Sequence, residues 1–193
     1  MRALEQGSLA PGQRLVETSL AVEYRVGRNA VREAVQWLAA HGVIEISRHR
    51  SASLRRLDAA ETRHVLELAE AIIGLMLKAA ARNFAPAHEA RLRAALAELE
   101  QANAETLPRA RRHFYAALLE IGGNRELTRL FPAIGLHILF AQYRAALAGL
   151  GLDTYRAMAV AVAQGDVEHA NALGRAHVGQ LRSAIIVLQN SQP

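Results

Sequence analysis

The sequence predicts a mainly α-helical protein in two parts. A small N-terminal module (1–57) carries a two-stranded sheet, and an all-helical antiparallel bundle follows (58–193). Three observations lead there. Val31, Ala34, Val35 and Leu38 recur at three- and four-residue spacing, the stripe of an amphipathic helix. Residues 43–47 (VIEIS) alternate apolar and polar, the signature of a half-buried strand. After Arg56 no alternating segment appears, only helical runs punctuated by Pro, Gly and capping residues.

The elements of the first part follow in order. Glu17 to Arg25 reads as a short helix with Leu20, Ala21 and Tyr24 inward. Arg25-Val26-Gly27 makes a tight turn into a second helix, which Gly42 terminates. Val43 to Ser47 is one strand, Arg48-His49-Arg50-Ser51 a polar tip, and Ala52 to Arg56 the returning strand. Helix, turn, helix and basic two-stranded wing together make a winged helix-turn-helix.

In the second part, Asp58 with Glu61 forms a capping box and opens a helix to about Phe84. Pro86 starts another at about 87–104, and Pro108 a third to about Ile121. Gly122-Gly123 breaks it and Asn124 caps the next. Pro132 ends or kinks that helix, and a long helix is expected from there to about Ala148. Asp153 caps a helix to Gln164, and Asp166 caps the last, to about Leu188. The run Leu68 to Ala81 is apolar nearly all round. It is either a central helix or one covered on its second side by another copy of the chain, with Ile72, Ile73 and Met76 at or near the contact.

The face opposite the buried stripe of the second helix carries the chemistry. Arg28, Arg32 and Gln36 fall four apart, with Asn29 beside them. Guanidinium groups bridge the major-groove acceptors of guanine, and Asn or Gln pairs with adenine. Arg14, ahead of the first helix, and the wing residues Arg48, His49, Arg50 and Ser51 are candidates for phosphate or minor-groove contacts. The charge is placed to match. The chain carries a net +5, and through Arg56 nine Arg oppose five Glu. Most of the excess therefore sits at the end expected to meet DNA.

Residues 11–54, from Pro11-Gly12 through the wing, resemble the DNA-binding domain of the GntR family of bacterial transcription regulators. The matching pieces are Arg14-Leu15, Glu17, Leu20-Ala21, Val26, Arg28, Val31-Arg32-Glu33-Ala34, Leu38, Gly42 and Glu45-Ile46. Three positions depart from the family pattern: Arg25 and Ser51 stand where glycine is usual, and Gly27 where serine is usual. They imply altered operator choice or weaker binding. The helical part is similar to the FCD effector domain, through the Phe114 segment ahead of Gly123-Asn124, the Gly165-Asp166 turn, and Ala170 with His177. Many FCD domains hold a divalent metal with one Asp and three His. The resemblance puts those ligands at Arg111, Tyr115, Tyr155 and His177, so three of the four are replaced. Arginine does not bind a cation and neutral tyrosine is a poor ligand. No metal and no cofactor is therefore expected. Ala69 and Ile73 stand where an arginine and a glutamate are common.

Tyr115, Tyr155 and His177 each lie on the apolar face of their helix, and Arg111 precedes Tyr115 by one turn. In one reading the tyrosines and His177 satisfy one another while Arg111 snorkels to solvent. In the other the four residues form a metal-free pocket, where Arg111 holds a small organic acid by paired hydrogen bonds.

The expected function is a DNA-binding transcription regulator, a repressor, whose affinity for a pseudo-palindromic operator on double-stranded DNA responds to that anion. The alternative is a DNA-binding regulator or architectural protein whose helical domain is effector-blind. An enzyme is not expected. The chain has no Cys, no His-Glu-x-x-His, no phosphate-binding glycine loop and no Gly-x-Ser-x-Gly. Reading a palindrome calls for a homodimer. No apolar run reaches a membrane span and no signal peptide is apparent, so a cytoplasmic location is expected. The opening MRALEQG reads as the end of a first helix whose start is missing, which leaves open whether the N-terminus is truncated.

Overall fold

The structure is a computed structural model, and it describes residues 9–47, 51–147 and 150–190. It has a small three-stranded sheet with two helices, followed by a helical bundle. The strands are β1 (Arg14–Leu15), β2 (Ile44–Ile46) and β3 (Ala52–Leu54), antiparallel in the order β1-β3-β2. Arg14 pairs with Ser53, and Ile44 with Leu54. The strand β1 is too short for a periodic signal, and the sequence reading did not include it.

Helix α1 (Glu17–Glu23) ends two residues earlier than expected. Tyr24 closes it as the C-cap and is 48% exposed, not inward. Helix α2 (Arg28–Ala40) buries Val31 and Val35, while Leu38 is half-buried. Ala34, expected in the stripe, is exposed. Its single methyl group lies at the edge of the strip that the sheet covers. These residues pack with Leu15, Val43, Ile44, Ala52 and Leu54 into one small core, which Ala141 of the bundle also touches.

The bundle begins with α3 (Ala59–Asn83), whose capping box is present: Glu61 N–H donates to Asp58 Oδ1 at 2.8 Å, and Asp58 N–H to Glu61 Oε2 at 3.0 Å. A 3₁₀ turn (Pro86–His88) leads into α4 (Glu89–Glu100). Helix α5 (Leu107–Gly122) follows, and Asn124 caps α6 (Arg125–Leu130) through two backbone N–H groups. The long helix expected to Ala148 is instead divided. A 3₁₀ turn (Phe131–Ile134) ends at Gly135, whose φ of +79° suits glycine and resets the chain direction. Helix α7 (Leu136–Gln142) then stops at Tyr143, and α8 (Arg144–Leu147) is a single turn. Helix α9 (Leu152–Ala163) has Gly151 at its N-cap, not Asp153, whose carboxylate pairs with Arg156 one turn on. Asp166 accepts from His169 N–H at 3.0 Å at the start of α10 (Val167–Asn190).

The most extensive helix pairing joins α3 to α10. Gly74 and Gly174 let the two backbones meet. A Cβ on Gly174 would lie 2.7 Å from Leu77 Cδ1 and 3.0 Å from Ile73 O. With α5 and α9 on its other sides, α3 is the central helix. Ile73 and Met76 are fully buried and Ile72 nearly so, within a single chain. This corrects their expected place at a dimer contact, because a residue already enclosed by its own bundle cannot face a second copy. The large apolar residues that α3 leaves exposed are Leu68 and Leu75. Among the described residues no helix is long and apolar enough to cross a membrane.

Candidate functional sites

Two constellations stand out. The first is the outer face of α2. Arg28, Asn29, Arg32 and Gln36 are all exposed, in one row opposite Val31 and Val35. Arg32 meets Glu17 of α1 at 3.4 Å, a surface pair that costs little to open. Arg14 is exposed on β1. Ser51 is half-buried. Its hydroxyl is 2.6 Å from that of Ser47, tying the base of the wing together. Arg48, His49 and Arg50 lie outside the described residues. Trp37 was not among the candidates. It is 58% exposed at the C-terminal half of α2, stacked on His41 with ring centroids 4.0 Å apart.

The second constellation is buried inside the bundle. Helix α5 supplies Arg111 and Tyr115 one turn apart, α9 supplies Tyr155, and α10 supplies His177. The fold brings the four together. Arg111 Nε donates to Tyr155 Oη at 3.0 Å, and Tyr115 Oη lies 3.0 Å from His177 Nε2. The rings of Tyr155 and His177 meet edge to face with centroids 5.1 Å apart. Arg111 does not snorkel: the residue is 7% exposed, and its guanidinium lies over the ring of Phe140, 3.9 Å from the centroid. Phe140 was not distinguishable in the sequence from an ordinary core residue.

The electrostatics of this cluster follow from burial. Desolvation, and then the Arg111 charge, push the pKa of His177 from 6.5 down to about 4, so its imidazole is neutral at pH 7. Desolvation raises Tyr115 well above the ordinary phenol value, so it too is neutral. With Nε2 engaged by Tyr115, His177 Nδ1 is buried without a hydrogen-bond partner among the described residues. The partners of the guanidinium are a phenol oxygen and an aromatic face, neither of which neutralises it.

This donor set does not fit a divalent metal. It offers one cation, two phenols and one imidazole whose Nε2 already faces Tyr115. Among the described residues no group of three His, Cys, Asp or Glu side chains converges as a metal site. The set suits an anion instead, through paired N–H donors and hydroxyls. Two open clefts of about 480 and 500 Å³ lie elsewhere, one between α3 and α10 and one where the modules meet. The four side chains close on one another, so a ligand among them has to open those hydrogen bonds.

Comparison with known proteins identifies both parts of the chain. Residues 1–54 match the model for bacterial regulatory proteins of the gntR family, and residues 58–180 match the FCD domain model. Two similar solved structures are McbR/YncC of E. coli and a putative GntR transcriptional regulator from Rhodococcus sp. RHA1. The first has a TM-score of 0.81 at 18% identity, covering 98% of this chain and 94% of that one. The second has a TM-score of 0.78 at 22% identity, covering 97% and 92%. At these identities the likeness shows the fold. No curated protein sequence matches the chain.

Proposed function

Because the chain belongs to the GntR family of bacterial regulatory proteins and carries an FCD domain, we propose that it is a repressor whose grip on its operator is set by a small organic anion held in the bundle. Its DNA-binding part spans 1–57 and its effector part 58–193. Arg28, Asn29, Arg32 and Gln36 read base edges from α2, Arg14 and the wing meet phosphates, and Arg111, Tyr115, Tyr155 and His177 hold the anion. The cytoplasm, where the DNA is, is the compartment this reading requires.

One observation supports the effector reading above the others. Among the described residues a cationic side chain is buried without a carboxylate partner, in the same cluster as an imidazole nitrogen that has no partner. A carboxylate entering between them supplies acceptors to the guanidinium, and Nδ1 orients the rest of the ligand. Burying an uncompensated charge costs the fold free energy that such a ligand returns on binding. The effector-blind alternative rests on the opposite aspect of the same geometry: the four side chains already form two hydrogen bonds among themselves.

A homodimer is part of the proposal. The surface that fits it is the face of α3 with Leu68, Ala71 and Leu75, flanked by Glu67, Glu70, Lys78 and Arg175. A two-fold contact places a patch against its own copy, and this patch carries both signs of charge around an apolar strip.

The test uses the intact protein and a DNA site selected by it from random sequence. Arg28→Ala or Arg32→Ala should weaken that site by about 1–3 kcal/mol in mobility-shift titrations. A panel of small mono- and dicarboxylates should include one that raises the melting temperature and releases DNA. Arg111→Glu should remove that response in both readouts. A panel without effect on either wild-type readout decides for the effector-blind alternative.

A further inference from the structure

The short helix α7 touches the buried cluster on one side and the core behind the recognition helix on the other. Three consecutive residues at its C-terminal end point in three directions, about 100° apart as the helix dictates. Phe140 carries the guanidinium of Arg111 on its ring. Ala141 packs into the core of the DNA-binding module. Gln142 clamps the connection between the modules: Leu57 N–H donates to Gln142 Oε1 at 2.8 Å, and Gln142 Nε2 donates to Leu57 C=O at 2.8 Å. The helix stops at once. Tyr143 turns its hydroxyl to Thr62 Oγ1 at 2.9 Å and accepts from Gln189 Nε2 at 3.2 Å. A second pin lies nearby, where Arg55 donates to Glu61 at 2.9 Å across the same connection.

We propose that Gln142 is a positioning residue for DNA binding, and that α7 is the part through which the state of Arg111 reaches the recognition helix. The step from the cluster to the clamp is short. A ligand that pulls the guanidinium toward itself takes it off the Phe140 ring, and an aromatic face that loses its cation repacks. Where the repacking shifts the backbone at Phe140, its two successors go with it, because two turns of helix move as a body. Gln142 then shifts against Leu57, and Ala141 against the core under α2. Coupling of this kind needs two distinct arrangements at the junction. The clamp supplies them, since its two bonds are made together or lost together.

The effector half of this inference rests on the function proposed above, whereas the mechanical half does not. The experiment separates them by reading amide hydrogen exchange at Leu57 in the full chain. In the wild type the Leu57 amide should be strongly protected. Gln142→Leu keeps the apolar part of the side chain and removes both bonds, and should speed exchange there about tenfold. Phe140→Leu and Arg111→Met touch neither Leu57 nor the clamp, yet both should speed Leu57 exchange, with amides in the core of α10 unchanged as the control. Unchanged Leu57 exchange in both variants overturns the relay, as does an equal rise at every amide. Succinate serves as the probe for the ligand arm. Binding seen by calorimetry together with altered Leu57 exchange, abolished in Phe140→Leu, supports the relay. Binding without any change at Leu57 overturns it. If succinate does not bind, the effector class is what fails, and Phe140→Leu and Arg111→Met still decide the mechanical link.

Discussion

Protonating His177 would put a charge into a site that is 1% exposed and faces Arg111, with the rings of Tyr115 and Tyr155 around it. The fold therefore holds its pKa at about 4, below the ordinary 6.5. Above 6.5 the imidazole is neutral in both folded and unfolded chains, and its full contribution to stability is present. Between 6.5 and about 4 only the unfolded chain takes up the proton, so stability falls by about 1.4 kcal/mol per pH unit. Below about 4 both forms are protonated and the contribution is gone. Urea midpoints measured from pH 7 to about 4 should follow this slope, and His177→Gln, which can still meet Tyr115, should flatten it. An unchanged slope in the variant would assign the effect to other groups. The four members of this cluster were legible because the resemblance to the FCD domain marks their positions, and Tyr115, Tyr155 and His177 each lie on an otherwise apolar helical face. That they close on one another was not, since helical spacing places side chains on a face but does not set the distance between faces. Arg25 shows the same limit from the other side. The resemblance marked it as a departure from glycine, and the backbone there does adopt φ +53°, a conformation that disfavours any side chain. Nothing in composition or periodicity points to that strain.

At the scale of elements, the crossing of α3 and α10 is set by glycines. Gly174→Ala would drive a methyl group into Leu77 and the backbone of Ile73, and should cost about 1–3 kcal/mol in chemical denaturation. Gly179 lies one turn further along α10 with open space beside it. Gly179→Ala should stabilise by about 0.5–1 kcal/mol, because alanine favours the helix and meets nothing. Equal effects at the two positions would argue against the close crossing. The sequence carried most of the element boundaries in its caps: Asp58, Asn124 and Asp166 all act where expected. It did not carry the break at Tyr143. No Gly or Pro stands there, and the helix ends because Tyr143 is drawn to Thr62 and Gln189, partners distant in the chain. The apolar run of α3 was read correctly as burial on more than one side. The partner on the second side proved to be the chain's own bundle at Ile72, Ile73 and Met76.

At the scale of the whole molecule, the proposed dimer makes DNA recognition a property of two chains. Light scattering should find two copies at micromolar concentration. Leu75→Glu should shift the population to one copy and weaken a two-half-site operator far more than a single half-site. A variant that stays dimeric would move the contact off α3. The Leu57 clamp has one more consequence, for which substitutions the chain can bear. A side-chain amide there does the work of a peptide group, giving one acceptor and one donor at a fixed reach. Asparagine has both but is one methylene short, glutamate lacks the donor, and lysine and arginine lack the acceptor. Position 142 is half-exposed and lies outside the recognition helix, where most exchanges would pass unnoticed. It should nonetheless behave under random mutagenesis as a nearly invariant site, its tolerance fixed by the geometry of one backbone residue in another part of the chain.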